Sequence, residues 1–284
     1  MKFLDIKTDY AFKKVFGSEE SKDILLSFLN STLELKKPII DLTILDPYNV
    51  PKLKGMKDTS VDIKATLEDK TKVIIEMQVL NHDGFESRIL YNAAKNYANQ
   101  LEIGDKYTLL NPVIALTIVN FEMFEFDKYK SIFKLLEKDN FIEYKDDIEL
   151  IFIELPKFNK SLEESNTIED KWIYFIKNAK ELKIIPKDID TNLQKAFTIA
   201  NKANLSIEEL EVQEKREEFI FIQRNSIEKA KRDGKEEGIK QGIKEGEKQA
   251  KLEIAKNLLD ILDIETISLK TGLSIKEIKD IQNN

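Results

Sequence analysis

The 284-residue chain has no cysteine and a single histidine, His82. Without cysteine there is no disulfide framework, no thiolate nucleophile and no cysteine-based zinc site. One histidine leaves a Ser-His-Asp triad only that residue to use, and a multi-histidine metal site cannot be assembled within the chain. His82 itself reads as a loop residue. No run approaches the roughly 18 apolar residues needed to span a bilayer, and the first seven residues carry no signal-peptide core. The expectation is a cytoplasmic protein with no membrane partner. A formal net charge of −7 argues against coating nucleic acid through bulk positive potential. A local basic groove stays open to it through Lys13, Lys14, Lys52, Lys54 and Lys57. What remains for chemistry is carboxylates, amides, lysines and a hard cation held through oxygen.

Hydrophobic residues make up 42% of the chain, which supports a folded protein, and 34% charged residues point to long solvated helical faces. The length allows one good core and a second unit. Across residues 8–33, Phe12, Phe16, Ile24, Leu25, Phe28 and Leu29 recur at helical spacing with a break near Gly17-Ser18, predicting two short helices. Residues 39–45, 60–67 and 73–80 are rich in Val, Ile and Thr and read as strands. Helical periodicity returns over 83–103, with Gly104 as its stop. Residues 113–121 and 148–155 read as two further strands. Helices mixed with strands in this way describe an α/β fold. Beyond Pro156 the pattern is helical, and Trp172, Phe175, Ile176 and Ala179 form an apolar stripe that reads as core packing.

The chemistry concentrates in one hairpin. Alternation over 60–67 places Val61, Ile63, Ala65 and Leu67 on one face and Asp62, Lys64 and Thr66 on the other. Glu76 and Gln78, two apart in the next strand, share a face. If Glu68-Asp69-Lys70 forms a three-residue loop, Leu67 lies opposite Thr71 and Asp62 opposite Glu76. Directly opposed side chains have Cβ atoms about 4.5 to 5.5 Å apart, so two carboxylates meet. They need a compensating cation, a shared proton or water. Mg²⁺ (or Mn²⁺), which takes one or two protein carboxylates and accepts phosphate oxygens, fits Asp62 and Glu76 as metal ligands. Phosphodiester hydrolysis is then the natural reaction class. The bland alternative is an acidic strand face that is merely solvated. The apolar setting of Glu76, between Val73-Ile74-Ile75 and Met77, weighs against it.

These residues resemble the PD-(D/E)XK nuclease superfamily, and within it the Rpn-type recombination-promoting nucleases, also described as putative transposases. The matching pieces are Thr8-Asp9-Tyr10-Ala11-Phe12-Lys13-Lys14-Val15-Phe16-Gly17, Val61-Asp62-Ile63-Lys64-Ala65 and Ile75-Glu76-Met77-Gln78. Arg88 with Tyr91, and Gly104-Asp105-Lys106-Tyr107 leading to Pro112-Val113, extend the match. The resemblance implies a restriction-endonuclease-like core with a mixed central sheet, followed by a helical C-terminal region. It also implies a metal-dependent endonuclease acting on DNA, in recombination or mobile-element movement, with Asp62 and Glu76 as metal ligands and Gln78 in the third catalytic position. Val61 stands where the general motif has proline, and Gln78 where lysine is usual. A lysine stabilises an anionic nucleophile by charge, whereas glutamine orients water or donates hydrogen bonds. Asp9, Lys64, Arg88 and Tyr91 are supporting candidates: Asp9 as a helix-borne carboxylate, Lys64 as a phosphate contact, and Arg88 with Tyr91 as a phosphate-positioning pair.

The expected domains are a nuclease domain over 1–158, a helical extension over 159–225, a charged glycine-repeat helix or tether over 226–256 and a helix-turn-helix-like unit over 257–284. Gly234, Gly238, Gly242 and Gly246 disfavour an isolated helix by about 1 kcal/mol each. Two explanations stay open, a helix that associates with a second copy of the chain and a charged tether. Residues 266–272 and 274–281 read as two short helices, with Ser274 and Glu277 as a capping box. They suit either DNA reading or packing. The competing function is a catalytically inactive nuclease-fold interaction protein assembling through its C-terminal helices.

Overall fold

The computed structural model describes residues 1–49 and 59–282. The candidate basic residues Lys52, Lys54 and Lys57 lie outside the described residues. The chain divides into two compact units, Met1–Phe221 and Ile222–Asn284.

The first unit opens with α1 (Asp9–Phe16) and α2 (Lys22–Thr32). Thr8 caps α1 by accepting from the Ala11 amide at 3.2 Å. At Gly17 a Cβ would meet the Lys13 carbonyl at 2.8 Å and the Ile63 side chain at 3.4 Å, so the helix end lies close against the sheet at a residue without a side chain. The strands are β1 (Leu42–Leu45), β2 (Tyr48–Asn49), β3 (Thr59–Ser60), β4 (Ile63–Leu67), β5 (Lys72–Gln78), β6 (Val113–Val119), β7 (Lys130–Phe133) and β8 (Ile148–Glu154). β2 and β3 form a separate antiparallel pair. The remaining six make one mixed sheet in the order β1-β4-β5-β6-β8-β7, with parallel pairing of β5, β6 and β8. Every residue of the central strand β6 is buried, which explains a run that is apolar apart from Thr117.

One face of the sheet carries Ile63, Ala65, Val73, Ile75, Leu116 and Ile151 into a core shared with α1 and α2. The same core takes in α4 (Ile168–Asn178) and α5 (Thr191–Ala200), so the segment expected as a helical extension supplies Trp172, Phe175 and Phe197 to it. Trp172, Phe175 and Ile176 are buried there, the packing role expected of their stripe. The other face packs Ile74, Ala115 and Phe152 against Phe85, Ile89 and Ala93 of α3 (Phe85–Ala98).

Several boundaries differ from the sequence pattern. Ile39 lies outside β1 because the Asn30 side chain brackets its backbone, accepting from its amide at 2.7 Å and donating to its carbonyl at 2.9 Å. Helix α3 ends at Ala98 with Asn99 as its C-cap, not at Gly104. Just beyond the cap, the Gln100 side chain binds both the amide and the carbonyl of Asn111, which directs the chain away from a further helical turn. Strand β7 is an addition that the sequence pattern does not predict.

The second unit holds the later turns of α6 (Ile207–Leu258) together with α7 (Ile264–Thr271) and α8 (Ile275–Gln282). Its small core is Ala255, Ile267, Leu273 and Ile278. Gly272 ends α7 at φ 72°, a left-handed C-cap that suits glycine. The Glu277 amide donates to Ser274 Oγ at 3.3 Å and the Ser274 amide to Glu277 Oε2 at 2.9 Å, the expected capping box. Gly234, Gly238, Gly242 and Gly246 all sit in α6, exposed, and a Cβ on any of them would meet nothing within 4 Å.

Candidate functional site

The β4–β5 hairpin turns through Glu68, Asp69 and Lys70, with Lys70 at φ 74°. The Leu67 carbonyl accepts from Lys70, and Asp69 Oδ1 accepts from the Thr71 amide at 2.9 Å. This is a three-residue loop closed by a left-handed residue. Leu67 donates to Thr71 across the turn and Ile63 pairs with Ile75, the register that sets position 62 against position 76.

The ladder is interrupted at that point. With the same register the Met77 amide would reach the Val61 carbonyl. Instead Asp62 donates its amide to the Ile75 carbonyl at 3.0 Å, and Asp62 Oδ2 accepts from the Met77 amide at 2.8 Å. The carboxylate thus replaces a backbone carbonyl at the end of the ladder. One consequence corrects the sequence reading: Val61 joins the cluster on the α3 face, whereas Ile63 and Ala65 belong to the opposite core. The period-2 pattern does not pass through the Asp62 bend.

Asp62 Oδ1 receives an ion pair from Lys13 Nζ of α1 at 3.1 Å. Burial nevertheless raises the Asp62 pKa, and the nearby Asp9 charge raises it further against the pull of the Met77 amide and Lys13. Glu76 is more strongly perturbed. Its pKa is pushed up to about 7, first by burial and then by the Asp62 charge, with Arg88 and Lys13 opposing. Arg88 Nη2 donates to Glu76 Oε1 at 2.6 Å and to Gln78 Oε1 at 3.1 Å. Gln78 Nε2 in turn donates to the Leu80 carbonyl at 2.7 Å. One arginine nitrogen therefore ties together two of the three central residues. Glu76 Oε2, Arg88 Nε and Asn92 Oδ1 are buried without a hydrogen-bond partner. Their three residues line a cavity of about 10 Å³, room for at most one water.

The supporting candidates divide. Arg88, on the first turn of α3, belongs to the site. Asp9 is near enough to repel Asp62 and pairs with Arg216 Nε of α6 at 3.5 Å. Tyr91 has Lys95 Nζ over its ring at 5.9 Å. Lys64 faces a separate polar concavity with Lys72, and its pKa is lowered by burial and then by the Lys72 charge. His82 is an exposed loop residue whose Nδ1 lies 3.1 Å from the Asp83 carbonyl. The sequence reading gave Lys13 only to a basic cluster and missed it as the partner of Asp62. Its place four residues after Asp9 on one helix was the available signal.

The model for PD-(D/E)XK nuclease family transposases matches residues 6–230. The chain belongs to this family. Among curated proteins and among solved structures nothing matches. Family membership gives the chain a nuclease-type or transposase-related function and accounts for its mixed sheet flanked by helices. PD-(D/E)XK nucleases generally use divalent metals. Among the described residues, no group of three or more His, Cys, Asp or Glu comes together to hold one. A two-carboxylate set still suits a hard cation, which completes its shell with waters and substrate oxygens. Glu76 Oε2, a buried acceptor lacking a donor beside a second carboxylate, is the atom such a cation would compensate. The residues present therefore fit the group.

Proposed function

We propose that this PD-(D/E)XK protein is a metal-dependent DNA endonuclease with Asp62, Glu76 and Gln78 at its centre, acting in the cytoplasm in recombination or mobile-element movement. The observation that carries the reading is Glu76, a half-buried carboxylate with one buried, unpartnered oxygen and a pKa pushed up to about 7 beside Asp62. A carboxyl kept for packing alone costs stability in such surroundings, and an apolar side chain would serve better.

Asp62 and Glu76 would hold Mg²⁺ or Mn²⁺, which when bound supplies charge compensation at the scissile phosphate and a more acidic attacking water. The remaining work falls to the protein. Arg88 orients Glu76 and Gln78 together, and its side chain is 36% exposed, so it can also meet a phosphate oxygen. It places positive charge next to Gln78, where the general motif has its lysine. Lys13, 44% exposed, favours the charged form of Asp62 against the effect of burial and can swing to the nucleic acid when Asp62 takes another partner. Gln78 orients a water or phosphate oxygen through its amide. The open glycine face of α6 is assigned to contact between copies of the chain.

Nicking of supercoiled plasmid by the purified full chain tests this reading. The wild type should cleave with Mg²⁺ or Mn²⁺ and not in EDTA. Asp62→Ala and Glu76→Ala should each lower the rate by about 10³-fold or more while the protein stays folded, a loss in the range of removing an essential electrostatic group. Undiminished cleavage by either variant contradicts the assignment.

A further inference from the structure

A second polar concavity lies on the same side of the β4–β5 hairpin as the Glu76 site. It encloses about 310 Å³, and its lining includes Lys64, Lys72, Asn96, Asn99, Gln100 and Asn111. Thr66 pairs with Lys72 and Lys64 with Ile74, so the two lysines stand on adjacent strands, diagonally placed on one face. Lys64 feels the repulsion of Lys72 and Lys95, with Asp46 opposing. No acidic residue is among the described residues that line the concavity. One wall is rigid, because Gln100 and Asn111 hold each other through hydrogen bonds of 2.8, 3.0 and 3.1 Å. Lys72 Nζ is steadied by Thr66 Oγ1 at 2.9 Å. Two lysines thus face one concave, amide-walled space, where a phosphate oxygen would meet both charges and amide donors.

We propose that this concavity is a phosphate-binding subsite, with Lys64 and Lys72 as its charges, that holds a backbone phosphate of the strand cleaved at Asp62 and Glu76. The inference rests on the nuclease reading for the polymer and on the lysine geometry for the phosphate. Lys64 follows Asp62 by two residues and Lys72 precedes Glu76 by four. At about 3.3 Å per strand residue, this spacing puts the held phosphate within a few nucleotides of the scissile bond. The subsite would fix the register of the strand without reading its bases.

The test uses the full chain in EDTA with a fluorescent DNA duplex, following anisotropy between 50 and 200 mM salt. Replacing both lysines, Lys64→Gln with Lys72→Gln, should weaken binding about tenfold and reduce the slope of log affinity against log salt by about 1, the counterion released at the one phosphate the subsite holds. The charge-retaining double variant Lys64→Arg with Lys72→Arg should restore the slope, which a mere folding defect would not allow. An unchanged slope in the glutamine variant overturns the subsite. Calorimetric titration with inorganic phosphate separates the two possible sources. Wild-type protein that binds inorganic phosphate through these lysines but does not bind DNA keeps the subsite and removes the nuclease reading. Binding of neither overturns the subsite as well.

Discussion

At the β4–β5 hairpin two half-buried carboxylates are answered by named partners: Lys13 on Asp62, and Arg88 on Glu76 with its neighbour Gln78. Along α6 four glycines recur every four residues with nothing within 4 Å of where a Cβ would stand. Both stretches go against local preference, since one buries charge and the other places poor helix formers inside a helix. The hairpin shows most of its compensation within the chain, and Glu76 Oε2 is left without a donor beside the unpartnered Arg88 Nε and Asn92 Oδ1. The glycine stretch shows no compensating contact among the described residues. An unfavourable feature surrounded by dedicated partners points to a site built for a ligand, whereas one left open points to a surface awaiting a partner.

The largest effect expected from perturbing this contrast is in α6. Replacing all four glycines with alanine should stabilise the helix by about 4 kcal/mol in total, read from its thermal melting by circular dichroism. Replacing them with leucine should instead block close approach of a second helix and lower the molar mass seen by light scattering across concentration. A wild type that is monomeric at every concentration removes the self-association reading and leaves a tether.

At the hairpin, Glu76→Gln should stabilise the metal-free protein at pH 8 by about 3 kcal/mol, the order implied by a pKa pushed from the ordinary 4.5 to about 7. The folded protein holds this proton more tightly than the unfolded chain does. Wild-type stability therefore falls as pH rises from about 4.5 to about 7, and the gain from the variant should vanish below pH 4.5. Urea unfolding in EDTA at pH 4 and pH 8 measures both ends. An equal effect at the two pH values would mean that burial of the charge is not its cause.

A smaller effect separates the motif from the structure. By motif alone, Gln78→Lys restores the usual lysine and should speed cleavage. In the structure Gln78 Oε1 accepts from Arg88, so a lysine there would set two cations against each other. The expected outcome is a rate about tenfold lower, equivalent to about 1.4 kcal/mol. A faster variant would show that Arg88 does not fill the lysine's role.

The sequence made the hairpin legible because a three-residue loop and period-2 alternation leave one register. It did not reveal the bend at Asp62, where the carboxylate takes over the Met77 amide and Val61 changes faces. That event is set by one side chain, and no periodicity registers it. The helices of α1 and α2 and the apolar strands β6 and β8 were readable from pattern. Strand β7 was not, because four residues at a sheet edge, three half-buried and Phe133 exposed, carry too little alternation to stand out. Arg88 could be chosen as a candidate from its helix position, but its joining of Glu76 to Gln78 depends on how α3 packs across the sheet. Lys13 is the same case on α1.

The account turns on Asp62 and Glu76 forming one cation site, and a crystal of the full chain grown with Mn²⁺ tests that most directly. Anomalous density contacting Glu76 Oε2 and the Asp62 carboxylate, lost in the Glu76→Gln variant, is the expected result. Density elsewhere with this pair still closed by Lys13 and Arg88, or no bound Mn²⁺ in a protein that nonetheless cleaves DNA, would contradict it.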